Sequence, residues 1–278
     1  MNEELIEKID KSCKVLHLDF SAVELASLAE EGHYSDETID AVAAIFAHIG
    51  EKKKEATVRT LLRLSRLPLS NPKTFESFDF NLLHGKNVKQ IKSLATLSAI
   101  YAHKNVALIG PAGTGKTHLA QAFGYACCHK GLKAYFIKMT ELRDRFTLAR
   151  QTGRVSKVLN TLVRPSCLII DEVGHCTFDK ENTRIFFDLV DRRYNKGGYY
   201  NMIFTSNKTP SEWRECFNED DALLCSLDRI FDDAVVYMIK GNSYRGQMLE
   251  TYTVQANKPK EPISATMPKI SALGRSVF

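Results

Sequence analysis

The chain has 278 residues, of which 44% are hydrophobic, 26% charged and 9% aromatic, as in an ordinary globular protein. This length allows one sizeable hydrophobic core and a smaller second unit. No apolar run approaches the roughly 20 residues that span a bilayer, and the amino terminus is acidic where a signal peptide would be basic. These features favour a cytoplasmic protein over a membrane or secreted one.

The net charge of +5 is unevenly distributed along the chain. Residues 1–50 hold three basic and eleven acidic side chains, a net charge of −8, and the remaining residues carry +13. Such asymmetry predicts that the basic body contacts nucleic acid and that the acidic segment contacts another partner.

Residues 1–68 are predicted to form a small helical domain. Apolar residues recur at three- and four-residue spacing from Leu5 to Leu16, and residues 41–49 form an apolar helical stretch. A basic helix is predicted from Glu51 to Leu67, where Pro68 stops it.

Residues 69–104 are predicted to form a linker and a helix that leads into the next domain. The linker is followed by an aromatic cluster formed by Phe75, Phe78 and Phe80. These rings either pack in the core or stack near a bound base, and the sequence leaves both interpretations open.

Residues 105–250 have the pattern of an α/β domain, in which short apolar runs alternate with amphipathic helices such as 179–195 and 221–233. The five apolar runs are Asn105–Gly110, Lys133–Met139, Cys167–Val173, Tyr200–Asn207 and Val235–Lys240. This alternation predicts a parallel sheet covered by helices on both faces. Residues 251–278 contain three of the eight prolines and little apolar periodicity, so a disordered tail is predicted.

A phosphate-binding motif follows the first run. Residues 110–117 match G-x-x-x-x-G-K-[ST] between a predicted strand and a predicted helix. Backbone N–H groups of such a loop turn towards a phosphate, and the helix amino terminus adds a favourable dipole. Lys116 is predicted to contact the β- and γ-phosphates of ATP, and the Thr117 hydroxyl to ligate Mg²⁺. The predicted nucleotide-binding residues are Gly110, Pro111, Ala112, Gly113, Thr114, Gly115, Lys116, Thr117 and His118.

The third run ends in two adjacent acids. Asp171 is predicted to hold Mg²⁺, directly or through water, and Glu172 to orient or deprotonate an attacking water. A carboxylate pair at a strand end could instead cap the next element. With the phosphate motif upstream, the second acid favours hydrolysis of a nucleoside triphosphate over transfer of a phosphoryl group to a small molecule.

Three further polar residues are placed near the last strands. Asn207 ends the fourth run and is predicted to hold the same water as Glu172, because the carboxyl ends of parallel strands share one edge of the sheet. Arg229 precedes the last strand and Arg245 follows it. Each is either a surface ion-pair member or a source of positive charge for the γ-phosphate, supplied by a neighbouring subunit.

Two basic segments are candidates for DNA binding. In the first, Arg59, Arg63 and Arg66 are spaced so that they share one face of a helix. The second, residues 140–165, fits two helices between the second and third strands. Basic faces attract phosphates without reading sequence, so binding would be nonspecific and salt-dependent; the alternative is a solvated face balanced by acids elsewhere. The candidates are Lys52, Arg59, Arg63, Arg66, Arg150, Arg154 and Lys157.

Taken in order, these motifs resemble those of the IstB-like transposition helper ATPases, in the AAA+ branch shared with DnaC-type helicase loaders. The motifs are Phe75–Phe80, Gly110–Thr117, Leu168–Glu172, Phe204–Asn207 with Ser211–Trp213, Leu227–Arg229 and Ser243–Arg245. The resemblance implies a P-loop NTPase with a five-stranded parallel sheet after a small helical domain. It also implies that ATP binds at the interfaces of a homo-oligomer assembled around DNA.

Residue by residue, the resemblance assigns four roles. Asn207 resembles the sensor 1 residue, Arg229 the arginine finger acting in trans, Arg245 the sensor 2 arginine, and Glu172 the catalytic Walker B glutamate. The predicted function is ATP-driven assembly on DNA, with a preference for duplex, that helps the transposase of the same mobile element to select or join its target. ATP hydrolysis would then drive disassembly.

Two other functions remain open from the residues. A replicative helicase loader shares every catalytic residue and differs in its partner, a helicase, and in preferring single strands. A non-enzymatic scaffold that binds ATP permanently is disfavoured because Lys116, Asp171 and Glu172 are all present.

Overall fold

The computed structural model describes residues 3–83, 88–218 and 227–240. Its amino-terminal part is helical, with α1 at Glu3–Leu16, α2 at Ala22–Glu31 and α3 at Asp36–Ser65. Ser21 and Glu24 form a capping box at the start of α2, and Ser35 caps α3. The three helices bury a small apolar cluster that includes Ile9, Cys13 and Leu25.

Helix α3 is a single helix of 30 residues. It joins the apolar stretch 41–49 to the basic segment that follows, although the sequence suggested two separate helices. Gly50 lies buried inside it beside α1, since an interior glycine costs only about 1 kcal/mol and packing outweighs that cost. The helix ends at Ser65, and Arg66 takes the left-handed conformation with φ 63°.

The five predicted strands are confirmed and form one parallel sheet in the order β2-β3-β4-β1-β5. Their bounds are Val106–Ile109 for β1, Ala134–Lys138 for β2, Cys167–Val173 for β3, Asn201–Ser206 for β4 and Val235–Met238 for β5. All residues of β1 and β4 are buried, as expected for strands covered on both faces.

Helices cover both faces of this sheet. Their bounds are Val88–Lys92 for α4, Ser98–Tyr101 for α5, Lys116–His129 for α6, Met139–Gln151 for α7, Val155–Val163 for α8 and Lys180–Tyr194 for α9. Shorter 3-10 helices lie at Phe80–Leu82, Ser93–Thr96 and Pro210–Cys216. One apolar cluster packs α6 and the end of α3 on one face of the sheet, and a second packs α7, α8 and α9 on the other. The prediction of two helices between the second and third strands is thus confirmed.

Three predictions fall on or beside segments outside the described residues. Of the helix predicted over 221–233, the described part is helical at 227–231. Arg245 and the tail at 251–278 lie outside the described residues. Within the described part of the chain, no helix combines the length and apolar character needed to cross a membrane.

A buried arginine that the sequence did not predict joins α9 to the starts of two strands. Arg193 is fully buried and donates hydrogen bonds to the backbone carbonyls of Leu162, Val163, Pro165, Ser166 and Asn201, at 2.6–3.2 Å. Burial lowers the pKa of its guanidinium to about 10. These bonds hold the carboxyl end of α8 against the amino ends of β3 and β4.

Candidate nucleotide-binding site

The phosphate loop lies between the end of β1 and the start of α6, and the packing around it requires its glycines. Gly115 has φ 83°, and a Cβ there would lie 2.6 Å from Cε2 of Phe78. A Cβ on Gly110 would lie 2.1 Å from the carbonyl oxygen of Ile239. Packing against Phe78 and Ile239 therefore excludes a side chain at both positions, and glycine is the residue that fits them.

The Lys116 ammonium lies inside this loop. Its Nζ donates to the carbonyl oxygens of Gly110 at 2.8 Å and Pro111 at 2.6 Å, and the residue is buried. Carbonyl dipoles do not neutralise the charge of a buried ammonium, so an anion such as a phosphate, which carries the opposite charge and accepts hydrogen bonds, is favoured next to it.

Two hydroxyls converge on the buried carboxylate of Asp171. Thr117 Oγ1 donates to Asp171 Oδ1 at 2.8 Å, and Thr205 Oγ1 donates to the same oxygen at 2.5 Å. Asp171 is 1% exposed, and this burial raises the pKa of its carboxyl although both hydroxyl bonds oppose the rise. Hydroxyl and carboxylate oxygens are ligands that Mg²⁺ prefers, so Thr117 and Asp171 fit the predicted metal site.

Glu172 stands out in its backbone and in its partner. It has φ 61°, which is uncommon for a residue other than glycine and costs about 1–3 kcal/mol. The pairing of β3 with β4 shifts register between Ile170 and Val173, and such an irregularity re-aims side chains at a strand end. The Glu172 carboxylate lies 3.0 Å from Nζ of Lys138, the last residue of β2, a partner that sequence reasoning missed. The sequence feature that could have predicted this pair is the position of Lys138 near the end of the second apolar run, whose strand pairs with β3.

The remaining polar candidates divide between opposite edges of the sheet. Asn207 directly follows β4, at the edge of the sheet where the strands end and the phosphate loop lies. Its side chain is exposed, and its Nδ2 lies 3.4 Å from Nε2 of His175. Arg229 lies 3.1 Å from Asp191 Oδ1, and the next residue, Ile230, accepts a hydrogen bond from Asn105, which precedes β1. Arg229 is therefore at the amino edge of the sheet, away from the phosphate loop of its own chain.

A cavity of about 700 Å³ adjoins the loop. Its lining residues are Pro68, Asn71, Lys73, Ser77, Phe78, Asp79, Gly113, Thr114, Gly115, Lys116, Thr117, His118 and Gln121. Phe78 is buried in the core, as one interpretation of the aromatic cluster predicts, and it also lines this cavity, where stacking near a base stays a prediction. The His118 ring meets Phe78 edge-on at 5.1 Å, and its Nε2 lies 2.9 Å from the Thr74 carbonyl oxygen. Burial lowers the pKa of His118.

The first basic segment differs from its prediction at one residue. Arg59 and Arg63 are exposed on α3, but Arg66 lies beyond the helix end and does not share their face. Its guanidinium contacts Glu141 at 2.5 Å and lies over the Tyr135 ring. The left-handed backbone at Arg66 turns its side chain towards the sheet. Lys52 is exposed and lies 3.6 Å from Glu55.

The three predicted DNA-binding residues of the second basic segment, residues 140–165, also differ in their surroundings. Arg150 is 2.8 Å from Asp179, the residue that caps α9. Arg154 and Lys157 are exposed and line a groove of about 410 Å³ between α7 and α8. The groove therefore retains two of the three predicted DNA-binding side chains.

Comparison with known proteins matches the chain to one family model and to proteins named for insertion sequences and for ATP binding. The family model described as IstB-like ATP binding protein matches residues 11–251. A protein of Geobacillus stearothermophilus named for insertion sequence IS5376 and for ATP binding is 34% identical over 259 residues, 92% of this chain and 99% of that protein. One of Pseudomonas aeruginosa, named for IS21 and for ATP binding, is 36% identical over 184 residues, 66% of this chain and 68% of that protein.

Two solved structures resemble the fold. The crystal structure of DnaI is 17% identical with a TM-score of 0.51, covering 66% of this chain and 93% of that one. The structure of AMPPCP-bound DnaA from Aquifex aeolicus is 19% identical with a TM-score of 0.50, covering 62% of this chain and 51% of that one. Both likenesses concern the fold alone.

Proposed function

The chain belongs to the family of IstB-like ATP-binding proteins, and from this membership we propose that it is a DNA-binding ATPase that assists the transposase of its own mobile element. The observation that carries the ATPase proposal is the convergence of Lys116, Thr117, Asp171 and Glu172 at one edge of the sheet. The relatives' names, which join ATP binding to insertion sequences, support the transposition context.

Each residue at this edge has a distinct task in hydrolysis. Lys116 binds the β- and γ-phosphates, and Thr117 and Asp171 hold Mg²⁺, which neutralises phosphate charge when bound. Glu172, with Asn207, orients a water and accepts its proton as the water oxygen attacks the γ-phosphorus. The bond from that phosphorus to the bridging oxygen breaks, and ADP and phosphate are released. Lys138 contacts Oε2 of Glu172, which leaves Oε1 to accept the proton.

Assembly is proposed to complete the site. The position of Arg229 at the edge remote from its own phosphate loop supports a role in trans, in which it stabilises charge on the γ-phosphate of a neighbouring subunit. ATP would then favour a homo-oligomer on DNA, and hydrolysis would release the subunits. Arg245 is proposed to contact the same nucleotide.

Contact with DNA is proposed through the exposed cations of α3 and of the α7–α8 groove. Lys52, Arg59, Arg63, Arg154 and Lys157 lie on surfaces that a duplex backbone could reach. Arg66 and Arg150 are engaged with Glu141 and Asp179, which makes them weaker candidates.

The test is the steady-state rate of ATP hydrolysis by the purified protein alone, with duplex DNA and with single-stranded DNA at fixed salt. Stimulation by duplex supports the proposal. Stimulation by single strands only would replace the transposase partner with a replicative helicase. Hydrolysis that is indifferent to both would remove DNA from the proposal.

The role of Arg229 in trans has its own test. Lys116→Ala and Arg229→Ala subunits should each be inactive, but their mixture should regain activity because one subunit supplies the loop and the other the arginine. A mixture as inactive as its components would contradict an interfacial site.

A further inference from the structure

Exposed aromatic side chains gather at the amino edge of the sheet. The Tyr101 and Tyr199 rings meet edge-on with their centroids 4.9 Å apart, and the His103 ring lies 4.8 Å from that of Tyr200. These residues precede β1 and β4, which are neighbours in the sheet. Tyr101, Tyr194 and Tyr199 are 44%, 45% and 53% exposed. We call Tyr101, His103, Tyr194, Tyr199 and Tyr200 the tyrosine patch.

A chain of contacts joins the tyrosine patch to Arg229. The Tyr200 hydroxyl donates to the carbonyl oxygen of Tyr194 at 2.9 Å, and the Tyr194 hydroxyl donates to Asp232 Oδ2 at 3.1 Å. Arg229 interacts electrostatically with Tyr194, and its guanidinium lies 3.1 Å from Asp191 Oδ1, on the same helix α9. The patch and Arg229 therefore belong to one surface.

The composition of this surface fits a protein partner better than a nucleic acid. Tyrosine and arginine are enriched at protein interfaces, because a tyrosine ring offers apolar area together with a polar tip. Charges are balanced among the residues of this surface that the structure describes, with Lys104, Lys196 and Arg229 against Asp191, Asp232 and Asp233. Lys104 lies 2.9 Å from Asp233, and Lys196 donates to two backbone carbonyls at 3.2 Å. A surface without surplus positive charge does not attract a phosphate backbone.

The area that an interface needs indicates which protein covers the patch. A contact between Arg229 and one phosphate cannot hold two subunits, since a stable interface buries about 800 Å² on each partner, a disc of about 16 Å radius. Arg229 precedes β5, and the sheet order places β5 beside β1 and β1 beside β4. Neighbouring strands are ~4.8 Å apart, so the starts of these three strands lie within about 10 Å. A second copy that brings its nucleotide to Arg229 therefore covers the patch as well.

We propose that the tyrosine patch is the surface on which a second copy of this chain docks, with the edge of its sheet that carries the phosphate loop. The inference rests on the proposed role of Arg229 in trans, and it adds the contact surface that this role requires. The contact is head-to-tail, because the patch of one copy packs against a different surface of the next. Each copy therefore has a patch side and a loop side.

The first experiment measures assembly of the full-length chain by sedimentation velocity, over a series of protein concentrations with a non-hydrolysable ATP analogue. Tyr101→Ala/Tyr199→Ala removes two exposed rings of the patch. Val23→Ala/Tyr34→Ala removes two exposed apolar side chains of the amino-terminal helical region as a matched control. ATP affinity, binding of single-stranded DNA and thermal stability are measured in parallel.

The patch variant should need at least about tenfold more protein to assemble, since tyrosines buried in an interface are frequent hot spots. The control should assemble like wild type. Both variants should keep the ATP affinity and thermal stability of wild type, because the exposed rings touch neither the loop nor the core.

The second experiment tests the direction of the contact by mixing subunits at a concentration at which the patch variant alone is inactive. The patch variant mixed with Lys116→Ala should regain ATP hydrolysis, because Lys116→Ala supplies the patch and Arg229 to an intact loop. The patch variant mixed with Arg229→Ala should stay inactive, because the subunit that can still dock lacks the arginine.

Four other results would overturn the inference. If the patch variant assembles like wild type while the mixture of Lys116→Ala and Arg229→Ala is active, the proposed function stands and the patch is not its interface. If the patch variant assembles normally but binds single-stranded DNA more weakly, the patch stacks bases. Recovery in both mixtures would contradict a head-to-tail contact. If wild type does not assemble and the mixture of Lys116→Ala and Arg229→Ala stays inactive, the role of Arg229 in trans fails, and the inference fails with it.

Discussion

Two charged side chains at the edge of the sheet beside the phosphate loop are buried and hydrogen-bonded, whereas those on the basic faces of the helices are exposed. Lys116 is buried and Asp171 is 1% exposed, and each is fixed by at least two hydrogen bonds. Arg59 and Arg63 are exposed, and within the described residues no hydrogen bond or salt bridge holds either side chain. Chemistry at a reacting atom needs positions fixed by packing, whereas attraction to a polyanion needs charge on an accessible face.

The sharpest test of this contrast is at Glu172. Glu172→Gln should lower turnover by about 10²–10⁴-fold, because a general base is removed, while ATP binding is retained because Lys116 and the loop are unchanged. Phosphate release and ATP affinity are measured separately. Glu181→Gln, which removes an exposed acid of α9, is the control, and an unchanged rate in Glu172→Gln would remove Glu172 from its proposed role.

The next largest effect is expected on ATP affinity when the buried Lys116 is replaced. Lys116→Ala should weaken ATP binding on the order of 10–100-fold, the equivalent of a charge-assisted hydrogen bond of about 1.5–3 kcal/mol. Isothermal titration with a non-hydrolysable ATP analogue measures the loss. DNA binding without nucleotide should be unaffected, and a wild-type dissociation constant for ATP would contradict the phosphate-loop assignment.

Substitutions on the exposed face of α3 should have the opposite effect to Lys116→Ala and weaken DNA binding without affecting ATP binding. Arg59→Gln/Arg63→Gln should weaken DNA binding about tenfold at low salt and reduce the salt slope by about 2, with ATP affinity unchanged. Arg66→Gln removes one positive charge at a residue paired with Glu141, so its salt slope should match wild type. A loss in Arg66→Gln half as large as that of the double variant would indicate a general effect of net charge rather than a defined face.

The smallest expected effect is the pH dependence at His118. Burial lowers the pKa of this ring below 6.5, so in the window below 6.5 the unfolded chain binds more protons than the folded one, and stability falls as pH falls. His118→Gln should flatten this part of the profile of unfolding free energy against pH. His48→Gln, at an exposed position of α3, controls for loss of a histidine, and an unchanged profile in His118→Gln would refute the effect.

The sequence predicted well where one local pattern determines the structure. Five apolar runs became five parallel strands because strands buried on both faces need continuous apolar residues. The loop from Gly110 to Thr117 lies between β1 and α6 as predicted, because Gly113 and Gly115 take left-handed backbone conformations that glycine adopts without strain. Thr117 meets Asp171 because α6 starts just after the end of β1, and the parallel strands β1 and β3 end at the same edge of the sheet.

Other features depended on contacts between distant segments. A backbone turn at one residue, Arg66, moved a side chain from a helix face to a pair with Glu141. Arg193 looks like a surface arginine in its amphipathic helix, yet it reaches five backbone carbonyls that only the folded chain brings together. The basic cavity lined by His17, Lys53, Lys54, His129 and Lys130 combines α3 with the ends of α1 and α6, so no single window of sequence contains it.

The continuity of α3 has a mechanical consequence. Its 30 residues form a rod of about 45 Å, with α1 packed along it and α6 and β2 also packed against it. Since no loop interrupts the rod, a tilt of about 10° would displace one end by roughly 8 Å relative to the other. The rod ends three residues before Pro68, which lines the nucleotide cavity. A force applied to α1 and α2 would therefore be transmitted to the wall of that cavity.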